Sequence, residues 1–141
     1  MTRIDYIKQP QNRVSTILTT SYVAGTTIDA YKYNQMMVYI TLTKGLITSM
    51  EWKIEASHDN SNWYQPAIEE YIGNGIKRGE EQSHTIIAAN QASATQGYRF
   101  AVSITDRYIR IGVKGTGVMT NSLAVVDVAL GINWKYGCKF T

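Results

Sequence analysis

Apolar and polar side chains alternate with a period of two along most of the chain. The clearest stretch, residues 50–56, reads MEWKIEA, with apolar residues at the even positions and charged residues at the odd ones. A β-strand points successive side chains to opposite faces, so this pattern predicts a strand with one buried and one solvent-facing side. The same alternation predicts four more strands, whose inward side chains are Val38, Ile40 and Leu42; Phe100, Val102 and Ile104; Ile109, Ile111 and Val113; and Ala124, Val126, Val128, Leu130, Ile132 and Trp134.

Four further segments, 14–20, 26–31, 63–72 and 84–88, favour strands more weakly. Turn-forming residues separate the candidates. Asn74-Gly75 predicts a two-residue hairpin turn, because both central positions of a type I′ turn need positive φ. The small, polar segment 88–97 (AANQASATQG) predicts a surface loop with room for a short helical turn.

These elements predict an all-β fold, since no segment of useful length has the helical period. About eight short strands with one apolar side each indicate a two-sheet antiparallel sandwich. The chain lacks the Cys…Trp…Cys framework of immunoglobulin domains, and the strand number favours a jelly roll. We expect an N-terminal arm over residues 1–13, the sandwich over 14–134, and a C-terminal tail over 135–141.

Composition adds limits to this prediction. A chain of 141 residues suits one domain, and 44% hydrophobic residues suffice for a core. The single Cys138 excludes an internal disulfide. The N-terminus has no apolar segment typical of a secretory signal, and no apolar run is long enough to span a membrane. We therefore expect a protein that is made in a cytoplasm and stays soluble or assembles there.

The net charge of +3 is unevenly distributed. Acids dominate the middle of the chain, from residue 51 to 81, whereas bases dominate both ends. Such polarity can orient a subunit on a partner, although an ordinary mixed surface is the simpler explanation. The residues that we expect at protein–protein contacts are the basic residues of the ends and the outward aromatics: Arg3, Tyr6, Lys8, Arg13, Tyr39, Lys135 and Tyr136.

The sequence offers no constellation for catalysis. His58 and His84 are the only histidines, and no nucleophile motif accompanies them. One cysteine and two distant histidines do not make a zinc site. The oxygen-rich segment 59–62 (DNSN) lacks the full calcium-loop pattern and predicts an Asx-type turn instead. We expect no enzyme activity, no catalytic residue, no metal and no cofactor.

Two groups of aromatic residues suggest ligands. Arg99, Arg107, Arg110 and Lys114 alternate with Tyr98, Phe100 and Tyr108, an arrangement that suits single-stranded nucleic acid, but Asp106 interrupts it and a mixed outer sheet face explains it better. Trp63 and Tyr64 follow a turn directly, and an exposed Trp-Tyr pair can stack on a sugar ring. Alternatively, Trp63 folds back over the end of the sandwich.

Residues 54–63 (IEASHDNSNW) resemble the strand–turn–Trp element of discoidin-like galactose-binding domains. The match covers about ten residues and implies a β-sandwich. The sugar-contacting loops of that family lie elsewhere and have no counterpart that can be matched here.

A broader resemblance covers residues 14 to 134. The order VYITLT, EWKIEASHDNSNW, YRFAVSITDRYIRIGVKGTG and LAVVDVALGINW is similar to small β-sandwich structural proteins of tailed-bacteriophage virions. This resemblance implies a structural role as a capsid decoration protein, a neck or tail component or a module of a fibre, with a capsid decoration or neck/tail protein favoured. Such a protein is assembled in the host cytoplasm, is located in the virion, forms homo-oligomers and contacts other virion proteins. The alternative is a carbohydrate-binding or host-recognition module.

Overall fold

The computed structural model describes residues 5–65, 68–72, 75–79 and 83–132, and these residues are almost entirely β-structure. A single 3₁₀ turn, Ala88–Asn90, is the one helical element in those ranges. The part of the chain that the structure describes contains no helix that is long and apolar enough to cross a membrane. The strands are β1 (Tyr6–Lys8), β2 (Arg13–Ile17), β3 (Val23–Ala24), β4 (Ile28–Asp29), β5 (Gln35–Thr43), β6 (Ile47–Ser57), β7 (Ile68–Ile72), β8 (Gly75–Gly79), β9 (Ser83–Ile87), β10 (Thr95–Ser103), β11 (Tyr108–Gly117) and β12 (Leu123–Gly131).

Two antiparallel sheets pack face to face. In sheet A, the strands β1 and β2 pair with one side of β12, followed by β5 and then β10. In sheet B, the strands β3 and β4 pair with one side of β11, followed by β6 and then β9. The strands β7 and β8 form a separate hairpin between β6 and β9 in the chain.

The strand order is that of a jelly roll. If β1 with β2, and β3 with β4, each count as one interrupted strand, each sheet has four positions and successive strands cross repeatedly between the sheets. The predicted fold class, an antiparallel two-sheet sandwich of about eight strands, is therefore confirmed.

The core lies between the two sheets, where the predicted inward side chains meet. Val38, Ile40 and Leu42 of sheet A are fully buried, as are Trp52 and Met50 of sheet B. The inward residues of β10 are only half-buried, because β10 is an edge strand of sheet A among the described residues. Trp134, predicted to extend the inward stripe of β12, lies outside the described residues.

Three predicted segments differ in detail from the structure. Ile72 pairs with Gly75, so Gly75 belongs to β8 and not to the turn that Asn74-Gly75 predicts. Among the described residues of the segment 63–72, only Ile68–Ile72 form a strand, while Tyr64 forms an isolated bridge to Ala56. Within the predicted segment 26–31, only Ile28–Asp29 form a strand, because only these two residues pair with β11.

The predicted surface loop 88–97 is only partly a loop. It contains the expected helical turn, but its last three residues already belong to β10. Gln91 is 2% exposed, because its side-chain amide bonds to neighbouring backbone groups. A polar composition alone does not distinguish such a buried amide from a solvated one.

Part of the segment predicted to be an arm is a strand. Tyr6–Lys8 pairs with residues 129–131 of β12, and Arg13 begins β2. Three paired residues are too few for alternation to be visible in the sequence. These strands place the residues 6–8 and 13–17 along one edge of sheet A.

Candidate functional site

The outer face of sheet A combines apolar side chains with neutral polar ones and a few charges. The β-register aligns its outward residues in rows that cross from β12 through β5 to β10. Solvent-facing sides of antiparallel sandwiches usually carry polar residues, and contiguous apolar patches mark contact surfaces. The apolar members are Ile17, which is 55% exposed, together with Met37, Tyr39, Leu123, Val125, Ala129 and Ala101.

A groove of about 410 Å³ crosses this face between β1, β12 and β5. Tyr6 and Tyr39 lie on its two sides, and Lys8 and Asp127 supply its charges. Burial, followed by the nearby Tyr39, raises the pKa of the Tyr6 phenol above its ordinary value. Three of the predicted contact residues, Tyr6, Lys8 and Tyr39, thus meet in one groove.

The other predicted contact residues do not join this groove. Arg13 lies at the β2 edge, where its guanidinium donates hydrogen bonds to the carbonyl oxygens of Ala124, Thr16 and Ile17 at 3.2–3.4 Å. The hydrogen bond to Ala124 connects β2 to β12 at the edge of sheet A. Arg3, Lys135 and Tyr136 lie outside the described residues.

The outer face of sheet B is charged and internally paired. Arg110 contacts Glu55 at 3.0 Å, and Lys114 contacts Glu51 at 3.4 Å. The Nζ atoms of Lys53 and Lys114 lie 4.4 and 4.9 Å from the centre of the Tyr22 ring. These paired charges are typical of a surface that stays in water, in contrast to the outer face of sheet A.

The structure separates the basic residues considered for nucleic-acid binding. Arg99 lies on the outer face of sheet A, whereas Arg110 and Lys114 lie on that of sheet B. Arg107 makes a bidentate contact with Asp29, at 3.0 and 2.9 Å. That hydrogen bond lowers the pKa of the Asp29 carboxyl. The predicted group of four bases is therefore not one patch.

The loop after β6 is an Asx-type turn, as predicted. The Asp59 carboxylate accepts hydrogen bonds from the backbone amides of Ser61 and Asn62, each at 2.9 Å, and from the Asn62 side chain at 2.8 Å. The bond from the Asn62 amide, followed by the one from Ser61, holds the pKa of Asp59 well below its ordinary value. The oxygens that could attract a cation are thus engaged within the turn.

Trp63 and Tyr64, the predicted glycan contacts, lie beside this turn in different environments. The Arg110 guanidinium stands 4.3 Å from the centre of the Trp63 ring, so it occupies one face of the half-buried indole. Tyr64 is 59% exposed, with its ring 6.5 Å from that of His58. A glycan contact here stays a prediction.

The two histidines lie far apart in the fold. His58 is on the exposed turn, while His84 of β9 stacks against Trp52 of β6. Within residues 5–65, 68–72, 75–79 and 83–132, no three His, Cys, Asp or Glu side chains gather in a way that could hold a metal. Cys138 lies outside the described residues.

The alternation predicted an outward position for Asp127 but did not show what lies beside it. The β-register places Tyr39 between Asp127 and Arg99, far apart in sequence, on the outer face of sheet A. Alternation assigns each residue to a face, but it does not specify which strands are neighbours. No sequence pattern would have brought these two charges together.

Comparison with known proteins gives few matches. No model of a known protein family matches the chain, and no curated protein matches it. Among solved structures, the chain is similar to the SPBc2 prophage-derived protein YomS, with 15% sequence identity and a TM-score of 0.49, over 92% of this chain and 96% of that one. A likeness at this level carries no conclusion about what the protein does.

Proposed function

We propose that the protein is a structural component of a bacteriophage virion, a capsid decoration or neck/tail protein that acts through repeated protein–protein contacts. Its partners are other virion proteins and further copies of itself, and it assembles in the host cytoplasm. In this role it needs no cofactor and catalyses no reaction.

The observation that carries the contact role is the difference between the two outer faces. Sheet B presents charges that are already paired with one another, whereas sheet A presents Met37, Val125 and Tyr39, the last of which lines a groove. Interface cores are depleted in charge and enriched in aromatic residues and methionine. Met37 and Tyr39 on the outer face of sheet A fit that composition, although Asp127 and Arg99 lie on the same face; sheet B, with its paired charges, fits the side that remains in water.

The assignment to a virion draws on the sequence. The resemblance between residues 14 and 134 and the small sandwich proteins of tailed phages agrees with the jelly-roll order of the strands. Fold alone does not determine function, so the contact face and the resemblance must be tested together.

The test is mass spectrometry of gradient-purified particles from a phage or prophage that encodes this chain. We expect the protein in a constant ratio to the major particle proteins. Its absence from purified particles, while it is abundant in the lysate, would refute the proposal.

A binding assay then locates the contact. Purified protein is added to particles that lack it, and its retention is compared with that of two variants carrying the same new charge. Met37→Lys alters the outer face of sheet A, and we expect it to abolish retention. Thr85→Lys alters an exposed position on sheet B and should bind like the wild type. Equal retention of both variants would contradict a contact through sheet A.

A further inference from the structure

Three residues form a charged row across the outer face of sheet A. Tyr39 of β5 pairs with Asp127 of β12 on one side and with Arg99 of β10 on the other. Directly opposite residues in an antiparallel pair share a face, and neighbouring strands are about 4.8 Å apart. An acid and a base therefore flank Tyr39 at nearly equal distances. Neither makes an ion pair with any residue in the described part of the chain.

This row is complementary to itself under one symmetry operation. A two-fold axis parallel to β5, lying between two copies whose A sheets face each other, places Asp127 of each copy opposite Arg99 of the other. Tyr39 then faces its own counterpart. A two-fold axis across the strands would instead place Asp127 opposite Asp127, so the charges select the first arrangement.

The rows on either side of the charged row fit the same axis. In one, Met37 lies between the small residues Ala129 and Ala101. In the other, Thr41 lies between Val125 and Gly97. The axis superposes the two alanines across the interface and places Val125 opposite Gly97, where a Cβ atom would meet nothing within 4 Å in the isolated chain. Val125 thus faces a glycine, whereas Met37 and Thr41 each face their own counterparts near the axis.

The area of the outer face of sheet A corresponds to a dimer of low affinity. With the axis above β5, the strands β12, β5 and β10 of the two copies overlap, and five outward rows on three strand positions cover about 500 Å² per copy, from the usual strand spacing and rise. Two copies bury about 1,000 Å² in total, which corresponds to a weak or transient interface. Asp127 and Arg99, which form no ion pair within the described residues, acquire partners in the dimer, and this opposes the cost of removing them from water.

We infer that the outer face of sheet A binds a second copy of this chain, about a two-fold axis parallel to β5 that pairs Asp127 of each copy with Arg99 of the other. This inference rests on the proposed function and deepens it: the contact that the outer face of sheet A makes in the particle is then with a neighbouring copy of this chain.

The experiment is sedimentation velocity of the full chain over a range of concentrations, with charge-reversed variants. We expect a monomer–dimer equilibrium. Arg99→Asp alone and Asp127→Arg alone each place two like-charge pairs in the dimer, and each should weaken it by about tenfold or more. The double variant Arg99→Asp/Asp127→Arg restores the opposite charges and should return the affinity close to that of the wild type. Thr85→Asp, on sheet B, serves as the control and should leave it unchanged.

Each outcome tests either the dimer or the virion role. Circular dichroism and the thermal midpoint of each variant establish that it is folded. A chain that stays monomeric at its highest soluble concentration, single reversals without effect, or a double variant that does not recover would each overturn the inference. Dimerisation as described, with the protein absent from purified particles, would refute the virion role only. A protein that is present in particles but does not dimerise would refute the dimer only.

Discussion

The indole of Trp52 stacks on the imidazole of His84, with ring centroids 4.6 Å apart and planes inclined by 21°. Phe100 completes the group, 4.8 Å from Trp52 and 5.7 Å from His84. Trp52 and His84 belong to sheet B, whereas Phe100 belongs to the outer strand of sheet A. The three rings therefore join the two sheets on the side of the sandwich where β9 and β10 lie.

This packing predicts that acid destabilises the protein. Burial lowers the pKa of His84 below its ordinary value of 6.5, so the folded protein favours the neutral imidazole. As pH falls through that region, the unfolded chain takes up the proton first, and the free energy of unfolding decreases. Denaturation at several pH values between about 5 and 7.5 measures this slope. In His84→Phe, which keeps a ring but cannot titrate, the slope should be reduced; an unchanged slope would show that His84 is not its source.

Trp52 provides a test of the core. Its side chain is fully buried, and truncation to alanine removes contacts that join both sheets. We expect Trp52→Ala to lower the free energy of unfolding by about 3–5 kcal/mol. Trp52→Phe should cost less, because the indole Nε1 has no hydrogen-bond partner within the described residues and nothing polar is lost. Urea denaturation of the two variants measures the difference, and equal costs would contradict this explanation.

The side-chain amide of Gln91 is expected to stabilise the segment that connects β9 to β10. Its Nε2 donates to the carbonyl oxygens of Leu42, Ser93 and Ala94, and its Oε1 accepts a bond of 2.9 Å from the Tyr98 hydroxyl. Gln91→Ala leaves these groups without their partner, and we expect a loss of about 2 kcal/mol in the free energy of unfolding. Asn90→Ala, at the neighbouring exposed position, is the control and should change stability little. Similar losses in both variants would exclude a specific role for the amide.

Substitution of two glycines by alanine should have different effects on stability. Gly45 has φ of +50°, and an added Cβ would lie 2.4 Å from the Thr120 carbonyl oxygen, so Gly45→Ala should destabilise the protein by about 1–3 kcal/mol. Gly97 has open space around its Cβ position, so Gly97→Ala should be neutral or slightly stabilising. Thermal unfolding of dilute protein tests both. Equal shifts in the thermal midpoint would show that the close approach at Gly45 is relieved without cost.

The sequence was sufficient to predict which side of each long strand is buried. Residues 50–56 and 38–42 have the predicted alternation because their inward side chains meet across one core. The short strands β1 and β3 were missed, since three and two paired residues carry no visible period. The pairing partners were also beyond prediction, because alternation does not determine which strands lie side by side. The proposed contact face depends on those partners, and so it could be identified only from the register.

The most direct test of the account is the accessibility of position 39 in assembled particles. A Cys138→Ser background removes the natural thiol, and Tyr39→Cys or Thr116→Cys then introduces one on the outer face of sheet A or sheet B. The rate of thiol labelling is measured for dilute protein and for purified particles. The account predicts that labelling at position 39 becomes much slower in particles, while labelling at position 116 keeps its rate. Unchanged labelling at position 39 in particles would contradict it.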